Sequence, residues 1–234
     1  FGFLSFGNLG LLLSNFLGIL LSFFAFKSTA KAHVTPDLVI KQAKRYRNFP
    51  KYAVLDGVLN AIAIQIPVYL FGKFYGVASV GQFGMALRII TLPAAFIALS
   101  VGQSYYKSIT ATKDSKAIAD LSNTLLVSLA KLALVPLILT ICFGELLFSF
   151  VLGVEWEQAG HFAVVLAPWV FMSFVFSPLS FLFDALEKQK FVLYYSALNF
   201  AVRLTLMVVL FKLGYNANVN LLVFSISGIV LWIW

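Results

Sequence analysis

The stretch "YYSALNFAVRLTLMVVLF", residues 194–211, decides how this chain is read. Its nearest flanking charges are Lys190 and Lys212, with only residues 191–211 between them. At about 1.5 Å of rise per residue, that is the length of helix that crosses a hydrocarbon layer about 30 Å thick. Arg203 sits in the middle, and no sliding of the segment brings it to either edge. An isolated guanidinium at the centre of a bilayer costs at least about 2.5 kcal/mol, so it turns toward protein or water. Asn199, Ser196 and Tyr195 lie four, seven and eight residues earlier and share its helical face. Two readings follow: Arg203 lines a hydrated cavity, or it belongs to a buried structural ion pair.

The rest of the chain has the same character. Of its 234 residues 61% are hydrophobic and 11% charged, and the mean hydropathy is +0.95. Soluble domains carry about twice that share of charge. The apolar runs approach 20 residues, not the alternating ten or so of an outer-membrane barrel, so the expected fold is an all-α polytopic membrane bundle. Seven spans are read near 1–26, 52–72, 82–106, 121–144, 159–183, 191–211 and 217–234. The chain begins and ends inside apolar runs, which reads as an internal fragment. The first run has no basic leader region and reads as a span, not a signal peptide.

Charge orients the spans. Loops 27–51, 107–120 and 184–190 hold seven, three and two Lys/Arg, while the alternate turns near 73, 145–158 and 212 hold one, none and one. The first set therefore faces the cytoplasm. This topology accounts for most of the +8 net charge and argues against a nucleic-acid partner. In the one long loop, Thr35, Pro36 and Asp37 form a helix-start pattern. Leu38, Ile40, Ala43 and Tyr46 then alternate with Lys41, Lys44, Arg45 and Arg47, as in a short interfacial helix in contact with membrane lipids. A plain basic, topology-setting loop reads equally well. The domain reading is thus 1–26 as the last helix of one bundle, 27–51 as a cytoplasmic connection, and 52–234 as a second bundle.

Other polar residues fall within the spans. Arg88 either lines a cavity, with Gly81 and Met85 on its face, or snorkels outward, since residues 89–106 span without charge. Lys131 either snorkels toward the cytoplasm or extends a stripe with Thr124 and Ser128. Asp56 and Asn60 form a small patch or a cytoplasmic helix end. Pro67, Pro93, Pro136, Pro168 and Pro178 are candidate kinks or hinges. One cysteine, Cys142, and two separated histidines, His33 and His161, give neither a disulfide framework nor metal-ligand spacing. No phosphate-binding glycine loop and no nucleophile–base pair is seen, so the chain reads as a non-enzyme without a cofactor or metal.

The run "FPKYAVLDGVLNAIAIQIPVYLFGKFYGVASVGQFGMALRIITLPAAFIALSVGQSYY" resembles lipid-linked polysaccharide (O-antigen type) flippases of the multidrug/oligosaccharidyl-lipid/polysaccharide exporter superfamily. The matching residues are Phe49-Pro50-Lys51-Tyr52, Gln65, Pro67, Gly76, Gly81, Arg88, Leu92-Pro93 and Gln103. A second block adds Phe143-Gly144, Gly153, Trp156, Ala159-Gly160, Ala167-Pro168, Ser177-Pro178 and Gln189. The resemblance covers about residues 36–213. It implies two helix bundles around a central cavity, of which this chain carries mainly the second. It also implies flipping of an isoprenoid-pyrophosphate-linked oligosaccharide across a bacterial inner membrane, coupled in some members to a proton or sodium gradient. On that basis Arg203, Arg88 and Lys131 are candidates for the anionic headgroup. Asn199, Asn60, Gln65 and Gln103 are candidates for sugar hydroxyls, and Asp56 for cation coupling. Polysaccharide polymerase machinery is a candidate partner. A drug/cation antiporter is the nearest rival, but acidic groups would suit cationic substrates better. A membrane-embedded glycosyltransferase or polymerase, with larger outer loops, is a second rival, and a seven-span receptor a third.

Overall fold

The computed structural model describes residues 13–14, 16–22, 36–45, 48–112 and 114–233; the side chains of 36, 38, 45 and 48–50 fall outside the description. The chain divides into two compact units, Phe1–Arg47 and Asn48–Trp234. In the first, residues 16–22 are helical and helix α1 spans Pro36–Arg45. It starts at the proline singled out in the sequence, with Asp37 in its first turn, and exposes Val39 and Ile40. Most of the expected span 1–26, together with Tyr46 and Arg47, lies outside the described residues.

The second unit is a helical bundle. In order it contains α2 (Asn48–Tyr75), α3 (Val77–Thr110), α4 (Ser115–Leu152), α5 (Glu157–Phe176), the short α6 (Phe181–Ala185), α7 (Gln189–Lys212) and α8 (Ala217–Ile233). Five helical stretches are long and apolar enough to cross a membrane, and α8 is a shorter apolar helix. The protein is an all-α, multi-pass membrane protein. Its outward faces carry large apolar groups such as Val54, Tyr69, Phe96 and Phe150. Water would not tolerate so continuous a surface, whereas acyl chains cover it without cost.

Several boundaries differ from those expected. Helix α2 begins at Asn48, within the segment read as a loop, and α3 and α4 overrun the expected spans at both ends. Hydropathy marks the part of a helix that needs lipid; the backbone hydrogen bonds continue past it into the interface. The expected span 159–183 lies within one helical stretch, Val154–Ala185. Its winding tightens to 3-10 over Ser177–Ser180, with Pro178 in the first turn of that segment, before α6 resumes. Pro67, Pro93, Pro136 and Pro168 stay inside continuous helices.

Helix α5 is central: it packs against α4, α3 and α8, while α2 packs against α7 and α3, and α7 against α8. Gly160 on α5 meets the backbone of Gly144 and Glu145 on α4, so no side chain stands between the two helices. Such close approach replaces the hydrophobic drive that helices lack inside lipid. One apolar cluster joins Phe71, Phe83, Phe162, Leu166, Met207 and Phe224, with the Phe71 and Phe83 rings stacked 4.6 Å apart. A second joins Ala98, Leu129, Ala133, Phe174 and Val175.

A polar knot ties α2, α7 and α8 together. Fully buried Asn220 donates its amide to the Tyr75 hydroxyl (2.9 Å) and the Met207 carbonyl (3.0 Å), and Tyr75 donates to the Tyr215 carbonyl (3.1 Å). Asn220→Leu would remove the amide from the buried Met207 carbonyl and from the part-buried Tyr75 hydroxyl. We expect a loss of about 1–2 kcal/mol, read as a lower thermal midpoint in detergent. An unchanged midpoint would show that the knot contributes nothing.

Candidate functional site

Arg203 occupies the seam between α5, α7 and α8. Its guanidinium carbon lies 3.4 Å from the centroid of the Phe224 ring and 4.3 Å from that of Trp169. Nη2 donates to the Phe224 carbonyl at 3.2 Å, while Nε is buried with no hydrogen-bond partner. The two rings contact each other edge to face, 5.4 Å apart. A planar cation between aromatic faces is attracted by their quadrupoles, and more strongly where water is excluded. The neighbour that permits this is Gly228 on α8: a Cβ there would strike Trp169 and come within 3.1 Å of Arg203 Nη2. Neither sequence reading contained this arrangement. Among the described residues no carboxylate pairs with Arg203, and the seat is made of two rings and a carbonyl.

The polar face of α7 follows the same seam. Tyr195 donates to the Leu231 carbonyl on α8 at 2.9 Å. Asn199 and Arg203 border a cavity of about 30 Å³ shared with Ala63 and Pro67 of α2. That volume admits a water molecule, which needs about 10–15 Å³, and excludes a phosphate. Pro67 supplies no N–H to the Ala63 carbonyl, and both residues border the same cavity as the guanidinium whose Nε has no partner.

Pro93, Pro136 and Lys131 are brought together elsewhere. They border a groove of about 760 Å³ between α3 and α4, floored by Phe171 and Phe174 of α5. Arg88, Asn60, Gln65 and Gln103 are exposed and border neither cavity. Asp56 is half-buried, and one of its carboxylate oxygens is enclosed without a hydrogen bond. Asp184 at the end of α6 lies within its electrostatic reach. The bundle therefore does not gather the sequence-predicted residues into one site. It holds Arg203, Asn199 and Pro67 in one place and Lys131, Pro93 and Pro136 in another.

A family model described as "Polysaccharide biosynthesis protein" matches residues 2–161. The chain belongs to this polysaccharide biosynthesis family. No curated protein and no solved structure matches it. The matched part of this family member includes Asp56, Arg88, Lys131 and the Gly144–Gly160 crossing, and it ends before Trp169, Asn199 and Arg203. Family membership thus supports a role in polysaccharide biosynthesis, while a role for the aromatic seat rests on its own geometry.

Sequence reasoning passed over several residues that organise these sites. Trp169 and Phe224 read as ordinary apolar positions, and only their packing against Arg203 distinguishes them. Gln82 was also missed: it donates to the Glu155 carbonyl at 2.7 Å and accepts from the Ala159 amide at 2.9 Å, which fixes the outer turn into α5. A glutamine one position from Gly81, itself noted for the turn, was the available signal.

Proposed function

We propose that this protein translocates an isoprenoid-pyrophosphate-linked oligosaccharide from the cytoplasmic to the outer leaflet of a bacterial inner membrane, for lipopolysaccharide O-antigen or exopolysaccharide synthesis. One observation carries the reading. In a membrane protein of a polysaccharide biosynthesis family, the span-borne cations Arg88, Lys131 and Arg203 have no carboxylate partner among the described residues. Positive charge carried on spans without a carboxylate partner suits an anion, and the diphosphate of a lipid-linked sugar is one.

In this mechanism the bundle rocks against a second bundle and opens its face to each side in turn. The tail stays in lipid while the headgroup crosses. Guanidinium and ammonium groups offset the diphosphate, and Asn199, Asn60, Gln65 and Gln103 bind sugar hydroxyls. The enclosed oxygen of Asp56 is the site where a proton or sodium ion couples to the cycle. On this reading the chain is a transporter and not an enzyme, and it hands its cargo to a polymerase outside.

The test is complementation of a strain lacking its lipid-linked-oligosaccharide flippase by the gene that carries this sequence. Expected is restored surface polysaccharide, with labelled glycan lipid moving from the bath-facing, cytoplasmic leaflet of everted membrane vesicles to their lumenal leaflet. Extrusion of a small organic cation without glycan translocation would favour a drug antiporter. New glycosidic bonds formed by the purified protein would favour a glycosyltransferase or polymerase. Either result overturns the proposal.

A further inference from the structure

The groove between α3 and α4 is recessed, about 760 Å³ in volume, and within the range of cavities that hold small ligands. Its walls are apolar, built by Pro93 and Ile97 on α3 and Pro136 on α4, with Phe171 beneath. Among the described residues Lys131 and Thr140 are its only polar side chains. Thr140 spends its hydroxyl on the Pro136 carbonyl at 2.8 Å. Lys131 is exposed and has no ion-pair partner among the described residues. The groove therefore offers one free charge and otherwise hydrocarbon.

The position of that charge gives the groove a direction. The basic 107–120 loop assigns the start of α4 to the cytoplasmic side. From Lys131 outward, α4 carries no charge until Glu145, about 21 Å further along at 1.5 Å per residue. Glu145 is itself held by His161 at 2.7 Å. A helical lysine leans toward the start of its helix, so the ammonium of Lys131 reaches toward the cytoplasmic surface. A ligand matched to this groove has an anionic head toward the cytoplasm and a long apolar chain running toward the middle of the membrane. That is the orientation of a phosphorylated lipid in the cytoplasmic leaflet.

We propose that the α3–α4 groove seats the hydrocarbon tail of an isoprenoid phosphate in the cytoplasmic leaflet, with Lys131 on the phosphate nearest the lipid, as a docking site separate from the Arg203 seat. This rests on the translocation reading for the identity of the lipid. It separates two tasks that the sequence assigned to one cavity: Lys131 recruits the lipid at the protein's lipid-facing surface, and Arg203 acts inside the seam.

The experiment uses the full chain in lipid nanodiscs with a photoactivatable isoprenyl phosphate, the matching uncharged isoprenol, and a phosphatidylglycerol carrying the same photolabel. Expected is labelling of α3 and α4 peptides by the isoprenyl phosphate about tenfold above the isoprenol, the scale of a charge-assisted contact. Lys131→Ala should remove that difference and Lys131→Arg should keep it. Thr140→Trp, which fills the groove while leaving Lys131, should block labelling by the phosphate. Equal labelling by all three probes, unaffected by any variant, means bulk lipid only and overturns the docking site. Selective labelling by phosphatidylglycerol also overturns it. If the isoprenyl phosphate labels the groove as expected while the complementation assay fails, the docking site stands and the translocation reading falls.

Discussion

Gly160→Leu is expected to abolish recovery of folded protein. A Cβ at Gly160 would sit 2.6 Å from the Glu145 Cα and 2.7 Å from the Gly144 carbonyl oxygen. Both are backbone atoms of α4, so no rotamer change relieves the clash and the two helices must separate. Overpacking a core that has side chains to rearrange costs about 1–3 kcal/mol. Here the whole α4–α5 contact has to open, and the cost should exceed that range, a large share of a total stability of about 5–15 kcal/mol. Gly144→Ala should cost less, because its nearest clash is the movable Val164 methyl at 2.7 Å. Gly84→Ala is the control: its Cβ would meet nothing within 4 Å, and alanine favours a helix by about 1 kcal/mol over glycine. The measurement is the monodisperse fraction and thermal midpoint in mild detergent. The order Gly84→Ala, Gly144→Ala, Gly160→Leu should run from stable to lost. A monodisperse Gly160→Leu with the original midpoint would mean that the two helices do not cross at these glycines.

That crossing shows what the sequence can and cannot convey. Hydropathy and the placement of lysines and arginines were enough to read a polytopic helical bundle, because lipid imposes both patterns on each helix separately. Pro178 likewise marked the place where the expected span 159–183 tightens from α to 3-10 winding. Which helix meets which is a relation between segments, and no local pattern encodes it. Gly144 and Gly160 are among the residues that carry the resemblance, but that they meet each other follows only once α4 and α5 are neighbours. The same holds at Arg203. Its cost in the membrane was legible, as was the face it shares with Asn199 and Tyr195. Its seat was not, because Trp169 lies 34 residues before it and Phe224 21 residues after it, on helices whose rotation is fixed by packing. Lys131, read either as snorkelling toward the cytoplasm or as lining a polar stripe, is grouped with Arg203 as a headgroup candidate only through the resemblance. The fold separates them because α4 packs on α5 and not on α7.

Arg203→Met is expected to fold and to fail in transport, whereas Arg203→Ala should fail at both. Alanine removes the group that fills the space between Trp169 and Phe224, and a large-to-small change at such a site costs about 2–5 kcal/mol. Methionine keeps much of the volume and its sulfur contacts aromatic rings favourably, so the seam should hold without the charge. Arg203→Lys keeps the charge and loses the planar stack, and should lie between them. The cavity of about 30 Å³ beside Arg203 has no room for a phosphate. On the proposed translocation reading, an anion would meet the guanidinium only once the α5–α7–α8 seam had opened; in the closed seam the rings hold the charge. If Arg203 then binds the crossing diphosphate, loss of that charge-assisted contact, about 1.5–3 kcal/mol, should slow glycan translocation roughly 10- to 100-fold in the folded methionine variant. The readouts are thermal midpoint in detergent for folding and outer-leaflet glycan lipid for transport, measured on the same preparations. Wild-type transport by a well-folded Arg203→Met would assign the arginine to helix packing alone and leave Lys131 and Arg88 as the cations of the route.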